Sequence, residues 1–175
     1  MIFEGWINAD DYGFKRKLRE KSFRPEWMLD ITQSWSCDDN FFDGIFTEHV
    51  IEHVTYSEAV HVMKEALRTL KPGSWIRISV PGIERCLELY RKLKMEGATK
   101  EFPEAALCIS HLTQMHFHRS AWDADLMTRL LREIGFVEVQ ERQFREGTDE
   151  RLLKDGEAKR HESLYVEARK PHTGD

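Results

Sequence analysis

The stretch from Phe41 to Gly82 constrains the fold most, because it has the pattern of a strand, a helix and a second strand. Residues 41–47 form a short apolar run typical of a buried strand. Residues 55–70 carry apolar side chains at steps of three and four, which predicts a helix with one buried face. Residues 75–80 supply a second apolar run. A strand, a crossover helix and another strand make a βαβ unit, so the sequence predicts a parallel sheet.

The predicted helix has a signal at each end. Thr55 followed by Glu58 is a capping box, in which each side chain accepts a hydrogen bond from a backbone N–H at the helix start. Lys71-Pro72-Gly73 predicts a turn that ends the helix, because proline cannot continue it and glycine accepts a left-handed turn.

Composition excludes several classes of protein. The chain has 175 residues, enough to bury the core of one domain. Its net charge is -5, and its basic residues are mixed with acids, so we expect neither a nucleic-acid nor a membrane partner. Cys37, Cys86 and Cys108 are widely spaced, which favours a reducing compartment over a disulfide or zinc framework. Neither a secretory signal pattern nor a membrane-spanning apolar run is present, so the expected location is cytoplasmic.

Three segments in chain order resemble one known family: FFDGIF, TEHVIEHV and LRTLKPGSWIRISVPG. Together they are similar to the second half of a class I S-adenosylmethionine-dependent methyltransferase of the small-molecule type 11 kind. In that family a strand ending in D-x-I precedes an E-H loop, a helix, an L-K-P-G turn and the next strand. The likeness extends from Gly5 to about Pro171. It implies an α/β, Rossmann-like methyltransferase sheet, mostly parallel, with an antiparallel C-terminal hairpin.

The second half of the chain contains the elements of that hairpin. Residues 83–96 form a predicted helix with Ile83, Leu87 and Tyr90 on one face. Ser120 with Asp123 is a second capping-box-like start, and Gly135 ends the helix that follows. Residues 136–140 and 163–168 are the two predicted strands of the antiparallel pair, which the family shows near its end.

The resemblance assigns three residues to S-adenosylmethionine before the βαβ unit. Residues 5–10 have the pattern of a strand ending in Asp10, which would accept hydrogen bonds from both ribose hydroxyls. Asp30, after a brief apolar strand, would reach the adenine amino group, and Ile31 would pack on the ring. From the residues alone, a polar loop is the better interpretation of Asp10 and an equal one of Asp30. The charged segment 11–26 between them is predicted to be a loop or a short exposed helix.

The candidate reaction centre follows the first strand of the βαβ unit. Thr47, Glu48 and His49 lie just past its carboxyl end, where open α/β sheets place ligands. Thr47 is assigned to the cofactor, and Glu48 and His49 are the predicted catalytic residues. His49 could act as a general base or could hydrogen-bond the loop in place. Glu52 and His53 are expected to orient this loop.

The same loop also matches another motif, because residues 49–53 read H-x-x-E-H, the inverted zinc-peptidase signature. On a helix, His49 and His53 would share a face and could bind Zn²⁺, with Glu52 as base. That function requires the pentapeptide inside a long helix, whereas here it follows a strand and precedes the capping box. We therefore rank it well below methyl transfer and expect no metal.

Residues 104–119 hold three histidines, His111, His116 and His118, between apolar residues. In the family, an insertion between the fifth strand and the last helix covers the active site and selects the substrate. The segment is therefore interpreted as a substrate lid. A metal site at His116 and His118 would lack a third ligand.

One element of the family is missing from this sequence. Members bind the methionine part of the cofactor on a glycine-rich turn after their first strand, where backbone N–H groups approach closely. No G-x-G precedes Gly5, and the sequence begins where the family's second strand begins. Residues 1–175 are therefore interpreted as a single methyltransferase-like domain, incomplete at its N-terminus. There are two alternatives. The protein could be a degenerate relative of the family, or its first strand could be replaced by re-pairing or by an element from another copy. The last case would make the protein a homo-oligomer.

The functional prediction is methyl transfer from S-adenosylmethionine to an O or N atom of a small molecule, such as a sugar or another metabolite. The alternative is a catalytically inactive, methyltransferase-like module for binding or interaction.

Overall fold

The computed structural model describes residues 5–10 and 26–174, which divide between Ser36 and Cys37 into two compact units. In the first unit, β1 (Ala9–Asp10) and β2 (Trp27–Met28) form a parallel pair. The backbone N–H of Trp27 donates to the carbonyl of Asn8 at 3.2 Å. Both predicted strands are therefore present, although each is only two residues long. The prediction for the segment between them falls on residues 11–25, which lie outside the described residues.

The second unit contains the predicted βαβ arrangement. β3 (Phe42–Glu48) leads through a short 3₁₀ turn (Ile51–His53) into α1 (Tyr56–Thr69), and β4 (Leu70–Pro81) follows. β3 and β4 are parallel, with Ile45 opposite Ile76 and Thr47 opposite Ile78. The crossover prediction is confirmed.

The capping box at the start of α1 is also confirmed. Thr55 Oγ1 accepts from the Glu58 N–H at 3.3 Å, and Glu58 Oε2 accepts from the Thr55 N–H at 2.7 Å. The helix buries one face, as its period predicts. The fully buried apolar residues of that face are Ala59, Val62, Met63 and Ala66.

The end of α1 differs from the prediction. Instead of a separate turn at residues 71–73, β4 begins at Leu70, immediately after the helix. Gly73 has the expected left-handed φ of 80°, but its N–H donates to the carbonyl of Lys170 at 3.0 Å. Pairing with the C-terminal chain therefore extends the strand through the predicted turn.

The C-terminal half supplies the remaining strands. α4 (Ala124–Ile134) ends at Gly135, whose φ is 114°, and β5 (Val137–Arg142) follows. β6 (Ser163–Arg169) pairs antiparallel with β5, which confirms the hairpin. β6 also pairs antiparallel with β4, so the sheet order is β3-β4-β6-β5. The result is a mixed α/β sheet with the predicted parallel pair and antiparallel hairpin.

Two local predictions were wrong. Asp123 alone caps α4, by accepting from the Leu126 N–H at 2.7 Å, whereas the Ser120 hydroxyl donates to the Ile51 carbonyl at 3.2 Å. A long-range partner therefore replaces the expected local one. In α2 (Ile83–Glu96) the buried residues include Cys86, while Leu87 is 38% exposed. α3 (Leu107–Thr113) packs on α2 around Cys86 and Leu93, with Ile83 and Tyr90 partly buried against this contact, so only Leu87 lies outside the predicted face.

Among the described residues, no helix has both the length and the apolar character needed to cross a membrane.

Candidate functional site

The carboxyl end of β3 carries the three polar residues that the sequence singled out in this unit. Thr47 is the last residue but one of the strand and is half-buried. Its hydroxyl is shielded from solvent and has no hydrogen-bond partner among the described residues. An unsatisfied buried hydroxyl is unusual in proteins, which marks this position at the end of β3.

Glu48, the last residue of β3, is held by the chain that precedes β6. Its Oε1 accepts a hydrogen bond of 2.7 Å from the N–H of Gly156. A Cβ atom at residue 156 would lie only 3.0 Å from Oε2 of Glu48, so a glycine permits this approach. The carboxylate is therefore directed at the Gly156 backbone, while its second oxygen makes no hydrogen bond within the described chain.

His49 occupies the tight bend after β3, with a left-handed φ of 51°. Its N–H donates to the Ser79 carbonyl at 2.8 Å, which extends the ladder between β3 and β4 by one residue. Its Nε2 lies 2.8 Å from Ser163 Oγ, which itself donates to the Lys159 carbonyl. Because the hydroxyl proton of Ser163 is used in that way, Ser163 must accept from His49, and the proton of His49 lies on Nε2.

The other ring nitrogen of His49 faces Glu52, a fully buried carboxylate at 1% exposure. Nδ1 of His49 lies 3.4 Å from Glu52 Oε1, and Nε2 of His53 lies 3.7 Å from the same oxygen. Nε2 of His118, from the histidine-rich segment, lies 4.0 Å from it. Neither oxygen of Glu52 has a hydrogen-bond partner among the described residues. Three imidazoles therefore surround one carboxylate oxygen, and we call these four residues the Glu52 cluster.

Backbone hydrogen bonds fix the approach of His118. The N–H groups of Arg119 and Ser120 donate to the Glu52 carbonyl at 2.7 and 3.2 Å. Nδ1 of His118 lies 2.7 Å from the carbonyl of Leu112 in α3 and donates to it. The sequence analysis singled out His118 but did not place it beside Glu52, and no local pattern indicates that pairing.

The peptidase-like motif does not lie on a helix. The left-handed backbone at His49 breaks the chain before the 3₁₀ turn, and α1 begins only at Tyr56. This agrees with the sequence argument against the zinc-peptidase function.

The other two histidines of residues 104–119 lie together, with His116 exposed and His111 half-buried. His116 Nε2 is 3.2 Å from His111 Nε2, and His116 has a left-handed φ of 58°. Burial lowers the pKa of His111. The interpretation of this segment as a lid stays a prediction.

The first unit holds the predicted ribose and adenine residues. Asp10 is the last residue of β1 and lies opposite Met28 in β2, and Asp30 comes two residues after β2 ends. Since these strands are parallel, both aspartates lie at the same edge of the pair. The Asp30 carboxylate is exposed and accepts from the hydroxyl and N–H of Thr32 at 2.7 and 3.0 Å. These bonds lower the pKa of Asp30 and keep it ionised.

Ile31, the predicted adenine-packing residue, is half-buried. Its carbonyl accepts from the indole N–H of Trp35 at 3.2 Å, and Trp35 packs edge-on against Trp27 with ring centroids 6.3 Å apart. The two tryptophans thereby fix the chain around Asp30 and Ile31.

Comparison with solved structures finds the same fold in methyltransferases from archaea and bacteria. A SAM-dependent methyltransferase from Archaeoglobus fulgidus matches with a TM-score of 0.57 and 16% identity, over 93% of this chain and 74% of its own. A SAM-dependent methyltransferase from Methanosarcina mazei matches with a TM-score of 0.54 and 17% identity, over 86% of this chain and 69% of its own. A SAM-dependent methyltransferase from Thermotoga maritima, described as a possible histamine N-methyltransferase, matches with a TM-score of 0.52 and 17% identity. This match covers 82% of this chain and 62% of its own. These likenesses confirm the predicted class of fold.

No curated protein sequence matches the chain. A family model described as a methyltransferase domain matches residues 7–141, which is more than half of the sequence. The match includes both strand pairs that carry the predicted site residues. It confirms the predicted class of enzyme, and the chain belongs to the methyltransferase domain family.

Proposed function

We propose that this chain binds S-adenosylmethionine at the carboxyl ends of its parallel strands and transfers the methyl group to an O or N atom of a small molecule. The observation that carries the proposal is the position of the polar residues. In each unit, the parallel strand pair has its predicted site residues at the carboxyl end: Asp10 and Asp30 in one, Thr47 to His49 in the other.

The residues present fit the chemistry of this cofactor. A ribose offers two hydroxyl donors and adenine offers an amino donor, and ionised carboxylates accept from such groups strongly. Asp10 and Asp30 lie at one edge of the β1–β2 pair, and the Asp30 carboxylate is exposed there. In the second unit, the hydroxyl of Thr47 has no hydrogen-bond partner within the described chain. The cofactor supplies a methyl group on a positively charged sulfur.

The protein's contribution to such a transfer is mainly positioning, with a base only where the acceptor must lose a proton. Glu48 and His49 are the residues proposed to face the acceptor. Nε2 of His49 is directed at Ser163 and Nδ1 at Glu52, so these two contacts orient its ring in the loop after β3. Small acceptors are supported by the fold likeness to the Thermotoga maritima protein, whose description names a small amine.

Calorimetric titration with S-adenosylhomocysteine tests cofactor binding directly. We expect the chain of residues 1–175 to bind it, and Asp10→Asn and Asp30→Asn to weaken binding about 10- to 100-fold, the effect of losing a charge-assisted hydrogen bond. Asp38→Asn is the matched control, because Asp38 is exposed and has no assigned role. Circular dichroism checks that each variant is folded. Unchanged binding by a variant would remove that aspartate from the site.

Transfer itself is tested with methyl-labelled cofactor and a panel of small amines, alcohols and sugars. Label in an acceptor, dependent on Thr47 and His49, is the expected result. Cofactor binding without transfer to any acceptor class would instead favour the inactive binding module.

A further inference from the structure

The Glu52 cluster contains a buried carboxylate that accepts no hydrogen bond within the described chain. Both oxygens of Glu52 are buried and neither has a hydrogen-bond partner among the described residues. Three imidazole nitrogens lie 3.4, 3.7 and 4.0 Å from Oε1, which is beyond the 2.7–3.2 Å typical of N–H···O hydrogen bonds. A buried carboxylate is costly unless it is paired with a cation or coordinates a metal.

His118 and His49 each donate a hydrogen bond away from Glu52, and these bonds determine which ring nitrogen faces Glu52 without a proton. Nδ1 of His118 donates to the Leu112 carbonyl, so in the neutral ring Nε2 carries a lone pair. Nε2 of His49 donates to Ser163, so in the neutral ring Nδ1 carries a lone pair. Both lone pairs face the carboxylate oxygen. Lone pairs and a carboxylate repel one another, and a shared cation between them removes the repulsion.

The spacing within the cluster suits a metal ion. Glu52, His53 and His118 each offer one ligand atom, and these three atoms lie within 4.8 Å of one another. Zinc bonds to imidazole nitrogen and carboxylate oxygen of about 2.0–2.2 Å place tetrahedral ligands roughly 3.4 Å apart. The observed 3.7 and 4.0 Å from Glu52 to His53 and His118 exceed that by only a few tenths of an ångström. The nitrogens of His53 and His118 lie within 4.8 Å of each other, so binding requires these side chains to move inward onto the ion.

We propose that Glu52, His53 and His118 bind a divalent transition-metal ion of the zinc type. Two imidazoles and one carboxylate form a donor set that such ions accept. The hydrogen bond from His118 to Leu112 orients its ring in the way that outer partners of metal ligands do. Three protein ligands leave a fourth position open, and His53, at 34% exposure, lies on the side open to solvent. The site links the loop after β3 to the histidine-rich segment and is independent of the proposed cofactor residues.

The test is a titration of the chelator-treated chain with Zn²⁺ at pH 7.5, together with the visible spectrum after addition of Co²⁺. We expect one equivalent of zinc to bind with micromolar or tighter affinity, and Co²⁺ to give the absorption of a four- or five-coordinate ion. His53→Gln and His118→Gln should each weaken zinc binding at least ~10-fold. His161→Gln is the control, because His161 is exposed and lies outside the Glu52 cluster.

Two results would overturn the proposal. One is a parent chain that binds no zinc at 100-fold excess over protein, which would leave protonated histidines to compensate Glu52. The other is a His53→Gln variant that binds zinc as the parent does. Since His53 is partly exposed, this variant is expected to fold, and circular dichroism checks that it has. Cofactor binding is measured separately, by titration with S-adenosylhomocysteine. Failure of zinc binding can therefore be told apart from failure of the proposed function.

Discussion

Arg77 in β4 and Asp155, in the chain before β6, form an ion pair with both side chains buried, at 1% and 0% exposure. Nε of Arg77 donates to Oδ1 at 2.8 Å and Nη2 donates to Oδ2 at 2.5 Å. The same guanidinium also donates to the carbonyls of Gln143 and Glu146. The next residue after Asp155 is the glycine whose N–H binds Glu48, so this pair fixes the connection that holds a candidate site residue.

We predict that Arg77→Met destabilises the protein by about 3–5 kcal/mol, because removing one partner leaves Asp155 as an uncompensated buried charge. Urea denaturation followed by circular dichroism measures the free energy of unfolding. The control is Arg85→Met, since the Arg85–Glu88 pair lies at the surface with a separation of 3.4 Å and should contribute less than about 1 kcal/mol. Equal effects of the two substitutions would show that the buried pair does not stabilise the fold.

The capping box predicts a smaller effect at the start of α1. Thr55→Ala removes the acceptor for the Glu58 N–H and should lower the free energy of unfolding by about 1 kcal/mol. Thr113→Ala serves as control, because that exposed hydroxyl only donates to a carbonyl within α3, at 2.9 Å. Its substitution should change stability by less than about 0.5 kcal/mol. A Thr55 variant as stable as the parent would contradict the assigned cap.

We predict that the interaction between Asp149 and Arg151 makes the free energy of unfolding depend on pH. The side chain of Arg151 donates to Asp149 and lowers the pKa of that carboxyl below its ordinary value of 3.8. A depressed folded-state pKa stabilises the protein above pH 3.8, and this stabilisation is lost as pH falls through the folded value. Asp149→Asn should therefore reduce the free energy of unfolding at pH 7, by up to about 1 kcal/mol, and progressively less below pH 3.8.

Chemical denaturation at several pH values measures this difference. Asp38→Asn is the control, because Asp38 is exposed and makes no ion pair in the part of the chain that the structure describes. A difference between parent and Asp149→Asn that stays constant from pH 7 to pH 3 would exclude the assigned linkage.

The cysteines predict a pattern of chemical reactivity. Burial raises the pKa of the Cys86 thiol to about 12, and Cys108 is buried beside it, with its Sγ 3.0 Å from the Ala105 carbonyl. Because the thiolate is the reactive form, we expect neither to react with a disulfide reagent at pH 8 in the folded protein. Cys37 is only half-buried and should react slowly, and all three should react in denaturant.

Thiol titration with and without denaturant checks this, and Cys37→Ser should abolish the reaction of the native protein. Rapid reaction of Cys86 or Cys108 in the folded Cys37→Ser variant would show that the contact between α2 and α3 opens readily.

Local patterns in the sequence were sufficient for the strands and for α1, α2 and α4, but not for α3. The capping box at Thr55, the left-handed Gly135 and the parallel pair around α1 all depend on residues close in the chain. Helix period, capping and turn chemistry act over three or four residues, so the amino-acid order specifies them directly. The positions of Asp10, Asp30 and Thr47 at or near the ends of β1, β2 and β3 follow from the same local signals.

Tertiary structure alone decided which side chains meet. Glu52 and His118 come together because the backbone of residues 119 and 120 binds the Glu52 carbonyl. Arg77 finds Asp155, and Ser120 binds the Ile51 carbonyl instead of capping α4. Periodicity encodes which face of an element is buried, but it carries no information on which distant segment covers that face. The proposed metal site around Glu52 depends on tertiary structure in the same way, because His118 comes from a distant segment that only folding brings beside Glu52 and His53.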